Sequence, residues 1–166
     1  MNYAQIRKYD VSNAPFVNST IFFSGCAHKC EGCFNKEAQD FNFGNEFNEE
    51  VEDLFISYVS DPNVKGACLL GGEPFQQDLD ILLRFVRRIK TETGKRVWIW
   101  SGYTWDELIS DTNKLKILEN VDVLIDGRFE LDKRDLKLKY RGSSNQRVID
   151  VRKSLESNEV VLKTLE

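Results

Sequence analysis

The chain has 166 residues, 41% apolar and 30% charged, which suits one soluble domain with a sizeable core. Its formal net charge of −4 gives no electrostatic basis for nucleic-acid binding, and its apolar runs are too short to span a bilayer. The opening MNYAQIRKYD lacks the apolar stretch of a secretory signal, so a cytoplasmic chain with reduced thiols is expected.

In chain order, STIFFS (19–24) predicts a strand that runs directly into the loop SGCAHKCEGCFN (24–35). Asn48 can cap a helix whose apolar positions Val51, Leu54, Phe55 and Tyr58 recur at helical spacing. GACLL (66–70) predicts a second, buried strand that ends at GGEP. Leu79, Leu82, Leu83, Val86 and Ile89 then form a helical stripe that stops near Gly94. RVWIWS (96–101) predicts a third strand ending at GY. One helical stretch over 105–118 leads to the strand VDVLI (121–125), which ends at DGRF. The basic residues of DGRFELDKRDLKLKYRG are interleaved with acids and read as a solvated face. The tail SLESNEVVLKTLE is compatible with helix or strand.

Strand and helix alternate in the rhythm of βαβ units, which implies a mainly parallel sheet with right-handed crossovers. Four strong strands are too few for a closed eight-stranded barrel, so an α/β fold with an open, partial (β/α) barrel is expected. The cysteine loop, GGEP, SGY and DG all fall just past the C-terminal end of a predicted strand. That is the edge at which parallel α/β sheets bind ligands.

Cys26, Cys30 and Cys33 follow a C-x3-C-x2-C spacing. Three thiolates on one short loop can hold three corners of a four-iron cluster and leave one iron open for a small molecule. The alternative is a zinc site closed by His28 or the distant Cys68. Structural zinc loops more often use two cysteine pairs, and this chain has one trio. His28 is expected as a loop histidine bonded to backbone or solvent, or else as a group tuning charge near the cluster. Cys68, within an apolar strand, is expected to pack as a small hydrophobe.

The cysteine trio after the first strand, followed by GGEP after the second, resembles the radical S-adenosylmethionine (SAM) superfamily. The stretches MNY, SGCAHKCEGCFN, GGEP, WIWSGYTWDEL, VDVLIDGRF and YRGSSNQRVID run in order to about residue 150. Together they are similar to the activating enzymes of anaerobic (class III) ribonucleotide reductases. Two departures stand out. Gly32 holds the place before the third cysteine where the superfamily usually has an aromatic, and Phe34 follows that cysteine. Ala14 and Phe16 stand where the family commonly has the glycines of an N-G-P-G turn.

The resemblance implies a radical SAM domain over residues 1–152, with 153–166 as an extension. It makes Cys26, Cys30 and Cys33 the ligands of a [4Fe-4S] cluster whose fourth iron is chelated by SAM. Gly71, Gly72 and Glu73 would meet the SAM amino group, and Gly32, Cys33 and Phe34 would lie against SAM. Ser101 and Tyr103 are candidates for the ribose hydroxyls or carboxylate, and Asp126 and Gly127 for the adenosine side. Reductive cleavage of SAM would yield a 5′-deoxyadenosyl radical that takes a hydrogen from a glycine near the reductase C-terminus. The implied partners are that glycine loop and a low-potential electron donor such as flavodoxin, which Lys29 and Lys36 could attract. Association as a homodimer or with a reductase dimer is also implied. Arg141 and Arg147 of RGSSNQR would lie near the partner loop or SAM. The competing readings are another small radical SAM enzyme, acting on a different glycyl-radical protein or a metabolite, and a zinc-stabilised binding module without catalysis.

Overall fold

The computed structural model describes residues 1–164. The N-terminal stretch, not anticipated as regular structure, forms β1 (Asn2–Asp10) and turns back antiparallel as β2 (Asn18–Ser24). Past the cysteine loop, β3 (Asn45–Glu46) adds two residues to the outer side of β1. Helix α1 (Glu49–Val59) follows, with the Asn48 side chain accepting the Val51 N–H as its cap. Next come β4 (Gly66–Gly71), α2 (Leu79–Arg88) and β5 (Arg96–Trp100). A π-helical turn over Ile89–Thr93 prolongs α2 and ends at Gly94.

The helical stretch expected over 105–118 is two helices, α3 (Trp105–Ile109) and α4 (Thr112–Leu118). The Asp111 carboxylate accepts the N–H groups of Asn113 and Lys114, so it starts a new helix where the sequence pattern suggested continuity. The chain then forms β6 (Val123–Asp126), β7 (Arg147–Asp150) and α5 (Val151–Ser157). The ambiguous tail is therefore helical at first. It then returns beside β7, with Leu162 bridged to Ile149. Residues 165 and 166 of the expected extension lie outside the described residues.

The strands form one open sheet in the order β3-β1-β2-β4-β5-β6-β7. Its centre, β2-β4-β5-β6, is parallel, and β1, β3 and β7 run antiparallel to their neighbours. Ile21, Phe23, Leu69, Ile99 and Leu124 belong to a large core that includes Phe55, Leu82, Phe85 and Ile117 of the helices. A smaller cluster gathers Ala14, Cys68, Trp98, Val123, Ile125 and Val148, with Tyr140 packed against it. Register places Cys68, Trp98 and Val123 on one rung across three strands. Cys68 is fully buried there, as the apolar context of GACLL implies. Helices thus build one core, whereas residues 10–17 and 128–146 contribute loop side chains to the other.

Candidate functional site

The four parallel strands end at a common edge, and each passes into one of the loops singled out above. A cavity of about 550 Å³ opens there. Its wall includes Cys26, Cys30 and Cys33, with Phe34, Gly71, Gly72, Glu73 and Ser101. All three loop thiols are unbridged and partly exposed. Burial raises the Cys26 thiol to about 11, and the nearby Glu73 charge adds to the effect. Burial also raises Cys30. These thiols therefore hold their protons until a metal ion displaces them. Burial pushes Cys68 further, to about 12, and Cys68 is not part of the cavity wall. Among the described residues no three His, Cys, Asp or Glu side chains converge closely enough to hold a single metal ion. Three free thiols spaced around one cavity are a donor set that fits a cluster, which spreads its thiolates over separate irons.

GGEP is shaped first by backbone packing. Gly71 has φ +134, and a Cβ there would collide with the backbone of Phe23 on β2. At Gly72 a Cβ would come within 2.5 Å of the Gly25 carbonyl oxygen. Only glycines let the end of β4 press this closely against the start of the cysteine loop. The Gly72 N–H donates to Phe23 O at 3.0 Å, and the Glu73 N–H to Gly25 O at 2.8 Å.

The remaining candidates divide into two groups. Phe34 is 61% exposed and tilts against Phe129, ring centroids 4.9 Å apart, to form part of the cavity wall. Ser101 reaches the cavity, but its hydroxyl donates to Glu73 Oε2 at 2.8 Å and accepts the Tyr103 N–H at 3.0 Å. Gly32 turns the chain between Cys30 and Cys33, beside Leu131. Tyr103 and Asp126 stand behind the wall. The Tyr103 hydroxyl accepts from Gln76 Nε2 at 3.2 Å. Asp126 is 1% exposed and receives Arg147 Nη2 and Nε at 2.7 and 3.1 Å, together with the Trp105 N–H at 2.8 Å.

RGSSNQR is an ordered loop that closes one side of the cavity. Gln146 accepts the N–H groups of Gly142 and Ser143 at 2.9 and 3.1 Å, and its amide donates to Gly127 O at 2.9 Å. Trp100 Nε1 holds the preceding residue Tyr140 by its carbonyl at 2.7 Å. Arg141 lines the cavity, whereas Arg147 is committed to Asp126.

His28 departs from the expectation of a backbone or solvent partner. It is the chain's only histidine. Its side chain is 4% exposed, and Nε2 lies 2.8 Å from Glu73 Oε1. Gly102, within the SGY turn expected past the third strand, was given no role of its own by the sequence. A Cβ there would lie 2.6 Å from His28 Cδ2, so the glycine makes room for the imidazole. The signal was a histidine placed between two cysteines, together with a glycine just past a strand end.

Comparison with known proteins yields a consistent assignment. Residues 13–149 match the model of a family described as a 4Fe-4S single cluster domain. The chain is 44% identical over 150 residues to the anaerobic ribonucleoside-triphosphate reductase-activating protein of Pasteurella multocida, covering 88% of this chain and 95% of that protein. It is 40% identical over 156 residues to the protein of the same name from Escherichia coli K12, covering 92% of this chain and 100% of that protein. The corresponding protein of Enterobacteria phage T4 is 35% identical over 150 residues, covering 89% and 93%. With identities of this size running nearly end to end, and with three free thiols around a cavity at the parallel-strand edge, the chain belongs to the family of anaerobic ribonucleoside-triphosphate reductase-activating proteins.

Proposed function

We propose that this chain activates an anaerobic ribonucleoside-triphosphate reductase by installing a glycyl radical, acting as a small radical SAM enzyme with its domain over residues 1–152 and an extension over 153–166. The observation that carries this reading is the trio Cys26, Cys30 and Cys33 around one cavity at the edge where all four parallel strands end. Cys26, Cys30 and Cys33 would hold a [4Fe-4S] cluster, which would supply the one-electron reduction of bound SAM on which hydrogen abstraction from the reductase glycine depends.

The protein's own contribution is placement and exclusion of water. Gly71 and Gly72 bring backbone to the cavity, where a cationic amino group can be met by carbonyl oxygens. Cys33 and Phe34 form the neighbouring wall, with Phe34 and Phe129 offering aromatic surface to an adenine. Gly32 sets the turn that places them. Glu73 and Ser101 hold the strand-end turns together. Tyr103 and Asp126 act from behind the wall, supporting Gln76 and Arg147. The loop ordered by Gln146 closes the cavity and is the segment against which a partner's glycine loop would rest. A low-potential donor such as flavodoxin and a dimeric assembly with the reductase complete the reading. No helix among the described residues is long and apolar enough to cross a membrane.

Anaerobic purification with iron and sulfide analysis tests this directly. The expected result is a brown protein with nearly four irons per chain. On reduction it should convert SAM to 5′-deoxyadenosine, and with the reductase it should give a glycyl-radical spectrum. A colourless protein carrying one zinc would sink the proposal.

A further inference from the structure

Glu73 is 1% exposed, and its two carboxylate oxygens accept hydrogen bonds from three separate loops. Oε1 receives His28 Nε2 at 2.8 Å and the Gly102 N–H at 2.7 Å. Oε2 receives the Ser101 hydroxyl at 2.8 Å and the Phe75 N–H at 3.1 Å. A carboxylate has about four lone-pair sites, so this one is saturated within the protein. It also donates nothing when ionised, so His28 Nε2 carries the hydrogen. A ligand amine could reach the Glu73 carboxylate only by displacing one of these donors.

The geometry points to His28 and Glu73 as paired positioning residues: their buried hydrogen bond fixes the Cys26–Cys30 half of the cysteine loop against the turns that follow β4 and β5. His28 lies midway between the first two cysteines. Its ring sits edge-on against Tyr103, centroids 4.7 Å apart, in the space left by Gly102. The Ala27 N–H donates to Gln76 Oε1 at 2.7 Å, which ties the same segment to the same turn. Lys29, next in the chain, is held at φ +52, a left-handed conformation that a lysine adopts only when its surroundings impose it. The tether therefore orders the segment before any metal arrives and lowers the entropy lost when thiols gather around a cluster. Its importance for activity rests on the cluster reading above, whereas the tether itself does not.

The test uses the metal-free full chain first. Alkylation of the thiols by iodoacetamide reports how often each is released, and Cys68, buried in the sheet, is the internal control for unfolding. His28→Asn and Glu73→Gln should raise the alkylation rate of Cys26 and Cys30 about ten- to a hundredfold, the equivalent of one hydrogen bond to a charged group. Cys33 should change less and Cys68 should stay silent. His28→Gln, whose amide nitrogen stands near the place of Nε2, should keep the wild-type rate. The double variant H28N/E73Q should be no faster than the faster single variant, because both remove one interaction.

A wild-type rate for H28N with Cys68 silent would overturn the proposal, as would an H28Q rate equal to that of H28N. Should H28N expose Cys68 as well, Gly102→Ala decides, since its methyl displaces the imidazole and removes no polar partner. Faster Cys26 alkylation with Cys68 silent then supports the tether, and an unchanged rate overturns it. In the cluster-loaded protein, release of iron to a chelator should accelerate by a similar factor. Absence of iron from the wild-type protein would defeat the cluster reading and leave the alkylation result standing.

Discussion

Glu52 and Glu73 are both buried, at 2% and 1% exposure, but their charges are met in different ways. Glu52 on α1 faces guanidinium groups of α2: Arg84 Nη2 and Nε at 2.9 and 3.3 Å, and Arg88 Nη1 at 3.5 Å. Those arginines reach solvent, with side chains 51% and 26% exposed. Glu73 is met by two backbone N–H groups, a hydroxyl and an imidazole, with no lysine or arginine among its partners. A guanidinium clamp suits two helices that need only be held together. Beside a cofactor cavity an added cation would impose a field of its own, and fixed dipoles stabilise the carboxylate without one.

The largest expected effect comes from emptying the second of these sites. Glu73→Leu strands donors from three loops, and should cost about 3–5 kcal/mol in urea unfolding together with loss of iron binding. Asp10, 6% exposed, is the intermediate case. Burial pushes its carboxyl up, but hydrogen bonds from Ser12, Thr20 and Asn13 outweigh that and hold it at about 2. A depressed folded-state value means stability that is present above pH 4 and lost as pH falls towards 2. Asp10→Asn should therefore lower stability at pH 7 by about 2 kcal/mol and flatten the pH dependence of unfolding in that window.

Glu52→Leu should cost less, about 1–2 kcal/mol, because Arg84 can hydrate and Arg88 keeps Asp53 and Glu92. Its iron content should match wild type. An E52L protein that lost iron as E73L does would erase the distinction between the two glutamates. The smallest effect belongs to Cys68→Ala, about 1 kcal/mol from a small cavity, with iron content unchanged. Loss of iron in C68A would overturn the assignment of three cysteine ligands.

The parallel core was legible because β4, β5 and β6 carry nearly continuous apolar runs and β2 a shorter one over Ile21, Phe22 and Phe23, each followed by a chemically marked turn. β1 was not, because Gln5, Arg7 and Tyr9 are exposed and its pairing is decided by β2, from Asn2 opposite Ser24 to Asp10 opposite Asn18. β7 spans only four residues and pairs with β6, leaving little periodicity to read. At the site, the cysteine trio was visible as spacing alone. The partners of Glu73 were not, because His28 lies 45 residues from it in sequence and Ser101 lies 28. What the sequence carried was that these loops share one edge. Which side chain satisfies which depends on an approach that Gly72 and Gly102 permit.

The return of the tail beside β7 has a consequence for how this sheet meets other chains. The Asp150 N–H donates to Val161 O at 2.8 Å, and Lys163 N–H donates to Val148 O at 2.9 Å. Backbone groups that an uncovered outer strand would offer as a template for intermolecular pairing are therefore already occupied. Residues 161–163, through one bridge and two hydrogen bonds, cover part of this border and leave fewer backbone groups open to edge-to-edge association.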